Sequence, residues 1–169
     1  MATPHDSSSS VHPTGEARID LREPGDSATF VDGGWWPNSL DLTGELPTLL
    51  RAIEAAGYAE VRRVDYALTR WDPAVPRKVL MLDRVVKFGG FRMQEPAELT
   101  LVDSSGWKRV TIVVVPPDTA PTIAHRALAL AGRNGDHHRA REILNLAGRP
   151  HGSVCVDELA AAEPVRAPG

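Results

Sequence analysis

The most unusual chemistry in this chain lies in one short segment that contains two adjacent tryptophans. The segment comprises Asp32, Gly33, Gly34, Trp35, Trp36 and Pro37. Neighbouring residues of an extended chain point to opposite faces, so the two indoles cannot enter one pocket. In one interpretation the first ring packs inside, the second anchors a ligand, and the glycines let that ligand approach the backbone. In the other, both rings are covered, one by a helix and one by the N-terminal tail or a loop, because tryptophan is usually buried.

A second candidate is a basic stretch between residues 61 and 110, where aromatic residues alternate with arginines and lysines. Ten basic residues stand against six acidic ones, in a chain whose net charge is −3. The candidate binding residues are Trp71, Arg77, Lys87, Phe91 and Trp107. Arginines beside aromatic rings on a sheet can hold single-stranded nucleic acid by phosphate contacts and stacking. A solvated sheet edge rich in arginine is the alternative interpretation.

Residues 87–91 (Lys-Phe-Gly-Gly-Phe) have a faint similarity to the strand motif of RNA-recognition domains. The apolar-x-aromatic ending of that motif is missing, and the predicted order of strands and helices differs from that fold. The segment therefore adds little to the nucleic-acid hypothesis by itself.

The histidines and the single cysteine do not predict a metal site. His137 and His138 diverge by about 100° if they are helical, and His151 and Cys155 lie in a glycine-containing tail. Structural zinc needs four convergent ligands, and His125 stands apart from the others in sequence. We predict no metal and no cofactor.

No segment predicts a catalytic residue. The chain has no Gly-x-Ser-x-Gly elbow, no His-Glu-x-x-His motif and no glycine-rich phosphate loop. Asp32, Asp118 and His125 could form an acid–base set, but a turn residue, a helix cap and a helix-surface residue explain them more simply. An enzyme or small-molecule binder stays an alternative to a non-enzymatic domain.

The elements that must position these residues begin with an amphipathic helix. Apolar residues form one helical stripe from Leu42 to Ala56, with Ser39 or Thr43 as the cap and Gly57 as the stop. A short strand is predicted over residues 28–31, with a turn at residues 32–34. Residues 1–26 and 149–169 are predicted to be disordered tails around a single α+β domain at 27–148.

Downstream of the helix the apolar period falls to two, which predicts strands. The predicted strands are 63–68, 78–82, 85–88 with a hairpin turn at Asp83-Arg84, 98–101, and a central strand at 107–115. Two helices follow, at about 121–131 and 136–147, the first capped by Asp118 or Thr119. These elements predict an α+β fold: a mostly antiparallel sheet of about five strands, with one helix before it and two after.

Three motifs in this order resemble a known family. They are residues 32–37 with the downstream Asp41-Leu42 and Glu45-Leu46-Pro47, residues 85–91, and residues 113–119. Together they resemble an uncharacterised actinobacterial family, domain of unknown function 5994, over residues 30–130. The resemblance implies an actinobacterial source and one small domain. It carries no catalytic residue with it, because the family has no established activity.

The sequence thus favours a cytoplasmic accessory or regulatory domain that binds a protein partner through the double tryptophan. The first residues have neither the basic nor the apolar region typical of a signal peptide, and no apolar run is long enough to cross a bilayer, so no membrane partner is expected. Single-stranded nucleic acid is the second partner that the residues allow.

Overall fold

A mixed seven-stranded sheet forms the centre of the protein. The computed structural model describes residues 18–25 and 29–149, and all structural statements concern these residues. The strands are β1 (Ile19–Leu21), β2 (Gly33–Trp35), β3 (Val61–Ala67), β4 (Lys78–Met81), β5 (Arg84–Phe91), β6 (Glu98–Asp103) and β7 (Arg109–Val114). The helices are α1 (Leu42–Ala55), α2 (Pro121–Ala131) and α3 (Ala140–Gly148).

The prediction of about five mostly antiparallel strands is wrong, although the α+β class is confirmed. The strand order is β1-β2-β7-β6-β3-β5-β4. The pairs β2–β7 and β3–β5 are parallel, and the other pairs are antiparallel. The loop at residues 68–77 carries the chain past β5 to the edge, so β4 is outermost and β5 returns alongside β3. A period-two pattern identifies strands, but it does not encode this order.

The N-terminal part of the sheet lies where the sequence predicted a tail and a turn. Residues 19–21 of the predicted tail form β1, which pairs antiparallel with β2. The predicted strand at 28–31 is also misplaced, since the strand is Gly33–Trp35 and includes Gly33 and Gly34 of the predicted turn. Strands of three residues are too short to show alternation, and glycine is rare in strands. Residues 1–17, 26–28 and 150–169 lie outside the described residues, as does most of both predicted tails.

Helix α1 confirms the predicted apolar stripe. Its buried side chains are Leu42, Leu46, Leu49, Leu50 and Ile53. The cap is Asp41 rather than Ser39 or Thr43, because its Oδ1 accepts a hydrogen bond from the backbone N–H of Gly44 at 3.1 Å. That bond and one from the Thr43 hydroxyl lower the pKa of Asp41. Gly57, at φ +87°, ends the helical region as predicted.

The three helices are divided between the two faces of the sheet. The core beneath α1 contains Trp35, Val64, Leu99 and Ile112 among others. On the other face α2 packs against β1, β2 and β7, and α3 packs against α2 and β7. The predicted bounds of α2 are confirmed, although Ala120 rather than Asp118 or Thr119 takes the cap position. Helix α3 starts at Ala140 instead of residue 136, and the Glu142 carboxylate accepts the backbone N–H of Arg139 before it.

The β4–β5 hairpin turns one residue earlier than predicted. Leu82 and Asp83 occupy the turn with φ of +49° and +58°, which is the left-handed geometry that matches the twist of paired strands. The predicted central strand is confirmed in position, since β7 pairs with both β2 and β6, but it starts at Arg109 rather than Trp107. None of the helices among the described residues is long and apolar enough to cross a membrane.

Substitution of Gly33 tests the packing of β1 on β2. A Cβ at Gly33 would lie 2.4 Å from the Asp20 carbonyl oxygen and 2.8 Å from Leu21 Cδ2, so Gly33→Ala must displace β1. We expect the free energy of unfolding to fall by about 1–3 kcal/mol, the usual cost of overpacking, measured by urea denaturation. Gly148→Ala is the matched control, because a Cβ there meets nothing within 4 Å. Equal stability of the two variants would contradict this packing.

Candidate functional site

Both tryptophans of the double motif are buried, on opposite faces of the sheet. Trp35 and Trp36 are 2 % and 3 % exposed. Trp35 lies in the core under α1, where its ring stacks on that of Trp71 with centroids 5.7 Å apart. Trp71, which the sequence proposed as a binding residue, is therefore also core.

Trp36 is covered from three directions on the α2 side. Its ring meets His125 of α2 edge-on at 5.6 Å, and the Arg18 guanidinium lies 4.0 Å above it. The indole Nε1 donates a hydrogen bond to the Pro117 carbonyl oxygen at 3.4 Å. A helix and an N-terminal residue thus cover the ring. Both rings are thus covered, as in the second interpretation of the motif, because each face of the sheet has its own core.

Asp32, Gly33 and Gly34 serve this packing rather than a ligand. A Cβ at Gly34 would lie 3.0 Å from side-chain atoms of Leu128 and Ala131, so the glycine lets α2 approach the sheet. Asp32 donates its backbone N–H to the Thr111 carbonyl oxygen, and its Oδ2 accepts the Thr111 N–H, each at 2.7 Å. Burial raises the pKa of Asp32, and the Thr111 hydrogen bond and Arg22 oppose that rise.

The possible acid–base set does not assemble. Asp32 lies beside Thr111, near the start of β7, whereas Asp118 follows the end of that strand. The strand has six residues, about 20 Å of chain, and His125 packs on Trp36. No group of three His, Cys, Asp or Glu side chains within 18–25 and 29–149 could hold a metal ion. His151 and Cys155 lie outside that range.

On the α2–α3 side, no helix within the described residues covers β3, β5 and β4, and their basic side chains on that side are exposed. We call this part of the sheet, with the adjoining residues of β6 and β7, the open face. The strand registers align one side chain from each strand in a transverse row across it. This cationic row consists of Arg109, Val102, Arg63, Lys87 and Lys78. Its four basic side chains are exposed, while Val102 between them is buried. Strands lie about 4.8 Å apart, so the row is about 19 Å long.

Two further rows of the open face lie on one side of the cationic row, and the exposed pair Leu80 and Val85 lies on its other side. The first contains Thr111, Thr100, Asp65 and Gly89, and the second contains Glu98, Ala67 and Phe91. Arg63 Nε donates a hydrogen bond to Asp65 Oδ1 at 2.7 Å. Burial raises the pKa of Glu98, and the negative charge of Glu95 raises it further. The positive charge of Arg139 opposes both effects. The Phe91 ring is 45 % exposed.

Four of the residues proposed from the sequence lie at the surface. They are Arg77, Lys87, Phe91 and Trp107. Lys87 and Phe91 belong to the open face. Trp107, 88 % exposed, lies in the β6–β7 turn two residues before Arg109, and Arg77 directly precedes β4. In the Lys-Phe-Gly-Gly-Phe segment, Phe88 points into the α1 core instead.

Sequence reasoning did not single out Arg63, Lys78 and Arg109 as site residues. Each was counted in the basic stretch, and each lies at a polar position of a predicted strand. Alternation alone would have shown that these side chains point away from the core. Only the pairing of the strands shows that they form one row with Lys87.

Truncation of the buried Trp35 should destabilise the protein more than truncation of the exposed Trp107. We expect Trp35→Ala to lower the free energy of unfolding by about 3–5 kcal/mol, because it removes a packed core ring. Trp107→Ala should change it by less than about 0.5 kcal/mol, as for a typical surface substitution. Denaturation followed by circular dichroism measures both. A Trp35→Ala protein as stable as wild type would refute the core assignment.

Asp32 should make stability fall as the pH rises. Its pKa is raised above 3.8 in the folded state, so the folded protein holds the proton more tightly than the unfolded chain. That contribution is fully present below pH 3.8 and is lost as the pH rises through the folded-state pKa. Asp32→Asn keeps an oxygen for the Thr111 N–H and should flatten the fall of the urea midpoint as the pH rises above 3.8. An unchanged slope would show that Asp32 contributes nothing to it.

Comparison with known protein families confirms the family resemblance that the motifs indicated. No curated protein and no solved structure shows significant similarity to it. A family described as a family of unknown function (DUF5994) matches residues 18–131. This span includes all seven strands, α1 and α2, with both the double tryptophan and the open face. The chain belongs to the DUF5994 family.

Proposed function

We propose that this domain is a non-enzymatic binding module that holds single-stranded nucleic acid across its open face. The observation that carries the proposal is the cationic row. Four basic side chains from four strands face the same way along about 19 Å. Such a line of charge fits an extended polyanion better than a small anion, which would touch one or two of them.

The charges of the open face are unevenly arranged, which supports a phosphate backbone as the ligand. The cationic row contains no carboxylate, although the whole chain has a net charge of −3. Asp65 lies in the neighbouring row and bonds to Arg63, and Glu98 lies one row further away, beside α3. Release of counterions when phosphates meet these cations would favour binding.

A single strand suits this surface better than a duplex. Exposed aromatic rings flank the cationic row, with Phe91 on the open face and Trp107 in the adjacent turn. Rings of this kind stack on bases, which a single strand exposes and a duplex hides. The groups on the row are ammonium and guanidinium ions, which bind anions and offer no nucleophile at neutral pH. This is the reason for proposing binding rather than catalysis.

A protein partner is the second candidate, at a different position from that expected from the sequence. The two tryptophans are buried, but Leu80 and Val85 form an exposed cross-strand pair on the β4–β5 hairpin. Leu80 is 73 % exposed. An apolar pair on an edge hairpin is a typical anchor for a protein surface. A cytoplasmic location and an actinobacterial source remain predictions with either partner.

Charge substitutions on the open face test the proposed function. A fluorescently labelled single-stranded oligonucleotide should bind wild-type protein, with affinity that falls as salt rises. Each phosphate contact contributes about −0.7 to the slope of log K against log salt for single strands. Lys87→Gln and Lys78→Gln should each make the slope less negative by about that amount.

Arg51→Gln is the matched control, because Arg51 is exposed on α1, away from the open face. It should leave the slope unchanged. Absence of binding by wild-type protein, or equal slopes for all three variants, would refute the proposal. Retention of a protein partner that is lost in Leu80→Ser would favour the second candidate.

A further inference from the structure

Three side chains of the open face converge above a position that has no side chain. Gly89 of β5 lies opposite Asp65 of β3. A Cβ at Gly89 would lie 2.5 Å from Asp65 Oδ1, 2.8 Å from Arg63 Nη2 and 3.1 Å from Phe91 Cε2. These atoms thus occupy the space that a side chain at residue 89 would fill. Arg63 and Phe91 can both lie over residue 89 because it is glycine.

Asp65 holds the Arg63 guanidinium in this position. The two residues are on the same face of β3, and the Nε–H of Arg63 donates to Asp65 Oδ1 at 2.7 Å. The bond occupies one in-plane donor and directs the guanidinium across β5, towards Phe91. Even so, the Arg63 side chain stays 48 % exposed. Phe91 beside it is 45 % exposed, so both residues are partly accessible.

We propose that Arg63 and Phe91, side by side over Gly89, form a shelf on which one nucleobase stacks. This inference rests on the proposed function and assigns a role to each part of the open face. Lys87 and Lys78 neutralise the phosphates, while the shelf takes a base. Guanidinium planes and aromatic rings are both surfaces on which bases stack.

The charge at the shelf favours a neutral planar ring over a phosphate. Asp65 puts a carboxylate next to Arg63 and uses its Nε–H. At this one position of the cationic row a phosphate would meet that carboxylate and compete with it for the donor, so the phosphates lie at Lys78, Lys87 and Arg109. A stacked base needs the guanidinium plane only, and an in-plane hydrogen bond to Asp65 leaves that plane available.

Glycine at position 89 also destabilises the strand, which argues that another group must approach the backbone closely there. It lies inside an eight-residue strand, where glycine gives no cross-strand packing and loses more backbone entropy than other residues. Interior strand glycines often mark positions where another group approaches the backbone closely. At Gly89 that group is the Arg63–Phe91 shelf.

Two oligonucleotides of equal length and charge separate stacking from phosphate binding. One carries bases throughout, and the other is abasic with the same phosphates. Stacking contributes about 1–3 kcal/mol per base, so wild-type protein should bind the base-containing strand about 5- to 150-fold more tightly. Phe91→Ala and Gly89→Ala should bring this ratio towards one without changing the salt slope.

A charge-preserving variant and a charge-removing variant complete the design. Arg63→Lys keeps the charge and loses the plane, so it should lower the base preference while the salt slope stays the same. Lys87→Gln should do the reverse. Arg63→Lys and Phe91→Ala also serve if Gly89→Ala fails to fold.

Two results would overturn the shelf in different ways. If wild-type protein binds both strands equally, the shelf is wrong and the proposed phosphate-binding function stands. If it binds neither strand, the proposed function is wrong and the shelf falls with it. A base preference that survives both Arg63→Lys and Phe91→Ala would place the stacking site elsewhere.

Discussion

The width of the sheet relative to its helices determines most of this structure. Seven strands about 4.8 Å apart make a sheet about 29 Å wide, and a helix with its side chains is about 10 Å across. Two helices on one face therefore cover about 20 Å at most. They lie over β1, β2 and β7, where Gly34 allows α2 to approach closely. Among the helices that the structure describes, none covers β3, β5 and β4 on that side.

The composition of the strands follows this division. Inward positions of β3 and β5, such as Val64 and Phe88, contribute to the α1 core, and outward positions carry Arg63, Asp65, Lys87 and Phe91. On β7 both faces are covered near the C-terminal end, where Val113 and Val114 enter different cores. The double tryptophan, at the end of β2, also lies where both faces of the sheet are covered. Its two rings fill cores on opposite faces.

Local patterns in the sequence predicted the elements with clear periodicity. The α1 stripe, the alternation of β3, the β4–β5 hairpin, the central position of β7 and the bounds of α2 follow from residue type and spacing. The geometry of adjacent residues also predicted correctly that Trp35 and Trp36 point to opposite faces. Strands β1 and β2 were missed because three residues carry no period, and because Gly33-Gly34 is typical of a turn.

The candidate site depends on information that local patterns lack. Lys87 and Phe91 were identified as binding residues, but their partners were not, since Arg63, Lys78 and Arg109 become neighbours only through parallel and antiparallel pairing across five strands. The importance of Gly89 depends on Arg63 and Asp65, 24 to 26 residues away in sequence. Periodicity also cannot show which face lacks a helix. The tryptophans that the sequence offered as a binding surface are both buried in the structure.

The most direct test of this account is to map the perturbed backbone amides by NMR during titration with a single-stranded oligonucleotide. The account predicts that the largest shift changes lie in β3, β5 and β4, at residues 63, 65, 87, 89 and 91, with little change in α1. Changes concentrated on α1 or on the outer surface of α3, or none at all, would contradict it.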